Sequence, residues 1–91
     1  MIFRRTARFL KAFRALPAEA QVKLLKALKL LEANQRHPSL RVRKMEGREG
    51  IWEARVDLKY RFTFHYEKDD RGEIYCVFRN ADNHDERLKN P

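Results

Sequence analysis

Ile51-Trp52-Glu53-Ala54-Arg55-Val56-Asp57 and Tyr60-Arg61-Phe62-Thr63-Phe64-His65-Tyr66-Glu67 sort their side chains by parity. Successive residues of a strand point to opposite faces of its sheet. In the first stretch Trp52, Ala54 and Val56 share one side, while Glu53, Arg55 and Asp57 take the other. In the second, Tyr60, Phe62, Phe64 and Tyr66 form an aromatic row opposite Arg61, Thr63, His65 and Glu67. Glu73–Asn80 continues the pattern, with Ile74, Cys76 and Phe78 on the apolar side and Tyr75, Val77 and Arg79 on the other. Leu58-Lys59 and the polar Lys68-Asp69-Asp70-Arg71-Gly72 supply the intervening turns. Leu40–Glu46 is a further strand candidate, set between the loop His37-Pro38-Ser39 and a turn bracketed by Gly47 and Gly50. Consecutive strands with short turns predict an antiparallel meander.

Before Asn34 the period is helical. Thr6 suits the N-cap of a helix whose apolar positions are Phe9, Leu10, Phe13 and Leu16. Pro17 ends that helix and suits the first turn of a second, running from Ala18 to about Asn34 through strong helix formers. Its apolar stripe reads as Val22, Leu25, Leu28 and Leu31 or Glu32, with Lys23, Lys26 and Lys29 on the flank. Met1–Arg5 is short and β-compatible. The expected fold is therefore α+β, with two N-terminal helices in a hairpin packed on a three- to four-stranded antiparallel sheet. Trp52, Phe62, Phe64 and Phe78 are expected to be buried. Arg55, Arg61 and Arg79 are expected on the opposite, accessible face.

Composition narrows the class. The 91 residues suffice for one core, so residues 1–91 are expected to form a single domain. An apolar content of 43% argues against wholesale disorder. No apolar run approaches the roughly 20 residues of a membrane span, and Met1-Ile2-Phe3-Arg4-Arg5 lacks the pattern of a signal peptide. Cys76 is the single cysteine, so no internal disulfide can form. These features point to a cytoplasmic protein with no membrane contact. One cysteine and three scattered histidines make no metal-ligand spacing, so no metal and no cofactor are expected.

Charge is the more informative quantity. The net charge is +8, but residues 1–44 hold twelve Lys/Arg against Glu19 and Glu32, a net of +10. Residues 45–91 hold nine against eleven acids, a net of −2. Such an imbalance favours a polyanion or an acidic partner docking on the first half, although a charged surface can also be merely well solvated.

Glu53, Arg55, Arg61, His65, Tyr75 and Arg79 collect on the polar side of adjacent strands. Two readings stay open for them. One is a solvated sheet face with cross-strand ion pairs, such as Glu53 with an arginine. The other is a phosphate-binding surface, where arginine forks match phosphate oxygens and tyrosine stacks on a base. Metal-free RNA cleavage uses the ribose 2′-hydroxyl as nucleophile. It needs a base for that proton, an acid for the departing 5′-oxygen and fixed positive charge on the phosphate. Arginine supplies charge and is a poor base. His84 has the chemistry of the acid. Glu53 or His65 is the candidate base, Glu53 the weaker, because surrounding arginines oppose protonation of a carboxylate.

A family resemblance sharpens this. The run His37-Pro38-Ser39-Leu40-Arg41-Val42-Arg43-Lys44-Met45-Glu46-Gly47 resembles the loop and second strand of RelE-type toxins. Ile51-Trp52-Glu53-Ala54-Arg55-Val56 and Tyr60-Arg61-Phe62-Thr63-Phe64 are similar to two further strands of that family. Arg79-Asn80 followed by Asn83-His84-Asp85-Glu86 is similar to its C-terminal ending. The resemblance implies the fold above, cleavage of mRNA on the ribosome and inhibition by a cognate antitoxin protein. It implies that Arg61 and Arg79 bind the phosphate, that Arg55 is a basic active-site residue and that His84 acts as acid or base. Arg43, Lys44, His65 and Tyr75 are the expected RNA contacts around them. One departure stands out: many relatives carry a tyrosine near the C-terminus, and Arg87-Leu88-Lys89-Asn90-Pro91 has none. Two other classes remain, a ParE-like toxin acting on DNA gyrase and a non-enzymatic basic module that binds nucleic acid or protein.

Overall fold

The computed structural model of the protein describes residues 1–83. Helix α1 (Ala7–Ala15) opens at Thr6, which has an extended backbone and whose hydroxyl oxygen accepts the Phe9 N–H at 3.0 Å. The same hydroxyl donates to the Phe78 carbonyl at 2.9 Å, tying the start of the helix to the last strand. Pro17 caps α2 (Ala18–Ala33), which ends at Asn34. The end of a helix leaves carbonyls without intrahelical partners. Gln21 Nε2 serves those of α1, donating to the Phe13 and Leu16 carbonyls at 3.1 Å each.

Five strands form one mixed sheet in the order β1-β5-β4-β3-β2. They are β1 (Ile2–Arg5), β2 (Arg43–Lys44), β3 (Trp52–Arg55), β4 (Tyr60–Lys68) and β5 (Ile74–Asn83). The antiparallel meander of β2 to β5 is as expected. The extra strand is Ile2–Arg5, which pairs parallel to β5 with Phe3 opposite Cys76. Met1–Arg5 reads as β-compatible, but its parallel partner lies more than 70 positions away, so its place in the sheet is not legible locally. Leu40–Glu46, expected as a strand, shrinks to Arg43–Lys44. Pro38–Leu40 winds instead into a 3₁₀ turn capped by His37, whose Nδ1 accepts the Ser39 N–H at 3.3 Å. That turn ends on Arg41 in the left-handed region, φ 45° and ψ 49°.

The core lies between the helices and one sheet face. Phe9, Leu24, Leu28, Leu31, Phe62, Phe64 and Phe78 are fully buried in it. Phe78 is its centre, 5.4 Å from the Phe9 ring and 5.9 Å from the Phe62 ring between centroids. Two sequence expectations need correction here. The buried stripe of α2 is Ala20, Leu24, Ala27, Leu28 and Leu31, whereas Val22 and Leu25 are exposed. The helix carries two interleaved apolar stripes, and the one that joins the core is Leu24, Ala27, Leu28 and Leu31. Trp52, expected to be buried, is half-buried: its indole meets Tyr66 edge-on at 6.3 Å and carries the Lys44 ammonium over its ring at 5.4 Å.

Parity holds along β3 and β4 and breaks once in β5. Thr63 pairs with Asn80 but Phe64 pairs with Phe78, so Arg79 is an inserted residue. Strict alternation would send Asn80 into the core. The bulge puts it beside Thr63 and gives the core place to Ala81, which is 2% exposed.

Candidate phosphate-binding face

The sheet face turned away from the helices carries the polar residues named above. Cross-strand pairing sets Arg55 beside Arg61, Glu53 beside both Thr63 and Arg43, and His65 beside Val77. Arg55, Arg61 and Arg79 share this face, as their parity required. They are half-buried rather than openly accessible. Arg61 Nη1 folds back to donate to the Asp57 and Tyr60 carbonyls, and Arg79 Nη1 donates to His65 Nδ1 at 2.9 Å. The middle of the face is closed. Glu53, Thr63 and Asn80 are each at most 5% exposed.

Two hollows flank that closed centre. The larger, about 420 Å³, is lined by Arg41, Val42, Arg43, Glu53, Arg55 and Arg61. Four arginines and one carboxylate thus line the same hollow. Arg43 reaches Glu53 Oε1 through both Nε and Nη2 at 3.1 Å, the cross-strand ion pair expected of Glu53. That pairing favours the ionised carboxylate and so opposes its taking up a proton as a general base. Arg55 Nε is buried with no hydrogen-bond partner, a costly state for a charged donor.

Thr6, Arg8, His65 and Arg79 line the smaller hollow. A guanidinium only donates, so His65 Nδ1 must accept, and the imidazole carries its proton on Nε2. Nε2 in turn lies 2.8 Å from Glu67 Oε1. This hydrogen bond from His65 holds the Glu67 carboxyl below its ordinary range. Arg79 Nε is buried and unpartnered, like that of Arg55.

The remaining expected site residues are dispersed. Arg43 lies on the polar face opposite Glu53. Lys44, its neighbour, necessarily points the other way and sits over Trp52. Tyr75 is at the far end of β5, its hydroxyl donating to Asp69 at 3.2 Å and its ring under Arg4 at 4.5 Å. The bond to Asp69 raises the Tyr75 hydroxyl above its ordinary pKa. Arg61 and Arg79 line different hollows rather than one. His84 lies outside the described residues, with Asp85 and Glu86. Sequence reading missed Arg41 and Arg8 as lining residues. Arg41 sits in a run read as a strand, and Arg8 belongs to a helix whose docking side only the tertiary structure defines.

Among the described residues no three His, Cys, Asp or Glu side chains converge in a way that could hold a metal ion. No helix among them is long and apolar enough to cross a membrane.

Solved structures share this architecture. The YoeB/ParE toxin from Agrobacterium tumefaciens matches with a TM-score of 0.71 at 14% identity, over 92% of this chain and 99% of that one. The archaeal RelE of the RelE–RelB complex from Pyrococcus horikoshii matches at 0.65 and 19% identity, over 90% and 92%. The isolated RelE toxin from E. coli matches at 0.59 and 17% identity, over 97% and 95%. At these identities the likeness is one of fold. Comparison with curated protein sequences finds no match. The family described as "Phage derived protein Gp49-like (DUF891)" matches residues 11–81. The chain therefore belongs to the Gp49-like family, and it shares its fold with the RelE and YoeB/ParE toxins.

Proposed function

We propose that this chain is the toxin of a type II toxin–antitoxin pair and an endoribonuclease that cuts messenger RNA on the ribosome. The observation that carries the reading is the hollow on the polar face, which Arg41, Arg43, Arg55 and Arg61 line together with the buried Glu53. Four fixed cations suit a phosphodiester that gains negative charge in its transition state, because the charge is in place before the reaction starts. The ribose 2′-oxygen attacks the adjacent phosphorus, a 2′,3′-cyclic phosphate forms, and the 5′-oxygen leaves with a proton. Arg61 and Arg55 hold the phosphate, and Arg79 binds a neighbouring phosphate from the second hollow. His84 protonates the leaving oxygen. His65 is the candidate base from the second hollow: once Arg79 shifts from Nδ1 to RNA, that nitrogen has a free lone pair, and the strand must carry the 2′-hydroxyl to it. Glu53, held by Arg43, serves the face as a charge anchor.

The natural counterpart is a cognate antitoxin whose acidic or amphipathic segment docks against the +10 half of the chain. The archaeal RelE above was solved with RelB, which favours a partner of that kind. A cytoplasmic location follows from a ribosomal target.

Purified protein added to translating ribosomes, with mRNA ends mapped by primer extension, tests the reading. Breaks within codons at the stalled site support it. Intact mRNA together with gyrase-linked DNA breaks would assign the chain to the ParE kind. Silence in both assays would leave a binding module.

A further inference from the structure

A third hollow, about 530 Å³, opens on the other side of the sheet beyond the end of α2. Trp52 and Tyr66 form its aromatic wall, their rings edge-on at 6.3 Å. The Tyr66 hydroxyl is fixed by donating to Gln35 Oε1 at 2.6 Å. Arg36, His37 and Arg41 line the rest, and among the described residues that line it none is acidic. The Lys44 ammonium stands over the indole at 5.4 Å. Arg41 and Val42 belong to this hollow and also to the arginine-lined hollow of the polar face. They are the common wall between the two, at the edge of the sheet where β2 is only two residues long.

We infer that this aromatic hollow is a subsite for one nucleotide of single-stranded RNA, continuous around the β2 edge with the phosphate-binding face. Stacking on an aromatic ring with cations along the backbone path is how single strands are held without sequence preference. A base entering against the indole displaces the Lys44 ammonium from the ring to the nucleotide's own phosphate. Arg36 and Arg41 flank that phosphate, and Arg41 passes the strand across the edge. Arg41, which lines both hollows, holds a left-handed backbone that a non-glycine residue adopts only at a cost. The inference rests on the proposed reading for the strand's destination, not for the hollow's own binding.

Trp52 is the single tryptophan of the chain, so its fluorescence reports this hollow alone. The probe is a 2′-O-methyl RNA hexamer, which binds but cannot undergo 2′-hydroxyl chemistry. The expected result is saturable quenching of Trp52 by the hexamer. Arg36→Glu should weaken it about tenfold or more, and Arg36→Ala should flatten the salt dependence by about 0.7 in log–log slope, one phosphate contact of a single strand. Arg36 is exposed, so both variants should fold. Hexamer binding that leaves Trp52 fluorescence unchanged, or unaltered affinity in Arg36→Glu, overturns the inference. Hexaglutamate quenching as strongly as the hexamer also overturns it, in favour of an acidic protein segment. Quenching without mRNA cleavage on ribosomes keeps this subsite and sinks the nuclease reading. Cleavage without quenching does the reverse.

Discussion

Replacing Arg41 by glycine should make the protein more stable and less active at once. Arg41 is the one described non-glycine residue with positive φ, at 45°. An L-residue in the left-handed region costs about 1–2 kcal/mol, because its Cβ crowds the carbonyl. Glycine removes that cost but adds about 0.4–1 kcal/mol of backbone freedom to the unfolded chain. The arginine side chain is exposed and enters no ion pair among the described residues, so little stabilising contact is lost. The balance is a gain of about 0.5–1 kcal/mol, or roughly 2–8 °C in Tm for a domain of this size. Function moves the other way, since a cation lining both hollows disappears. Loss of one preorganised charge should slow mRNA cleavage by about tenfold to a hundredfold. Thermal melts followed by circular dichroism, paired with cleavage rates on ribosomes, measure both quantities. A glycine variant that melts lower and cuts at the parent's rate would show that Arg41 serves the fold and not the site.

Three further outcomes follow from the core and the turns. Phe64→Ala removes a fully buried ring packed on Phe62 and Tyr66 and should cost about 3–5 kcal/mol, read by urea unfolding; an unchanged midpoint would contradict the core assignment. Asp57 Oδ1 accepts the Lys59 and Tyr60 N–H groups at 2.8 Å each, so Asp57→Ala should destabilise the β3–β4 turn by about 1–2 kcal/mol at pH 7. Burial pushes the Asp57 carboxyl up, but those two N–H groups and Lys23 outweigh it and lower its pKa below the usual 3.8. A lowered folded pKa gives stability that is present above the unfolded value and lost as pH falls through the folded one. The gap between parent and Asp57→Ala should therefore close as pH drops below about 4, and a gap that widens there would refute the assignment. Burial, with Glu32 nearby, pushes the Cys76 thiol up to about 12, so a thiol reagent at pH 8 should modify it only after unfolding. Rapid modification of the folded protein would place Cys76 outside the core.

The faces of β3 and β4 were legible because each strand alternates strictly and each alternation is long. Trp52 to Arg55 and Tyr60 to Glu67 pair with the sides that parity assigns. Thr6 and Pro17 marked their helix ends because capping is a local interaction. What escaped was decided by distant partners. The parallel strand Ile2–Arg5 forms only against β5, and the choice between the Val22/Leu25 and Leu24/Ala27/Leu28 stripes of α2 falls to the sheet beneath. The bulge at Arg79 coincides with a break in alternation, the two polar residues Arg79-Asn80 before Ala81, which also reads as the end of a strand. For the site, arginine positions on one face could be read, but the side chains' destinations could not. Arg61 and Arg79 settle in separate hollows, Lys44 turns to Trp52, and the mid-face closes over Thr63, since torsions of long side chains answer to neighbours in space.

The central claim is that the arginines of the polar face stabilise a cleaving phosphodiester. Single-turnover cleavage of ribosome-bound mRNA by Arg61→Ala, with unfolding free energy measured on the same sample, tests it most directly. Arg61 also donates to the Asp57 and Tyr60 carbonyls, so some stability should be lost. The account predicts a rate roughly a hundredfold or more below the parent in protein that remains folded, with Arg61→Lys recovering only part because it lacks the planar fork. Cutting at the parent's rate by folded Arg61→Ala would contradict it.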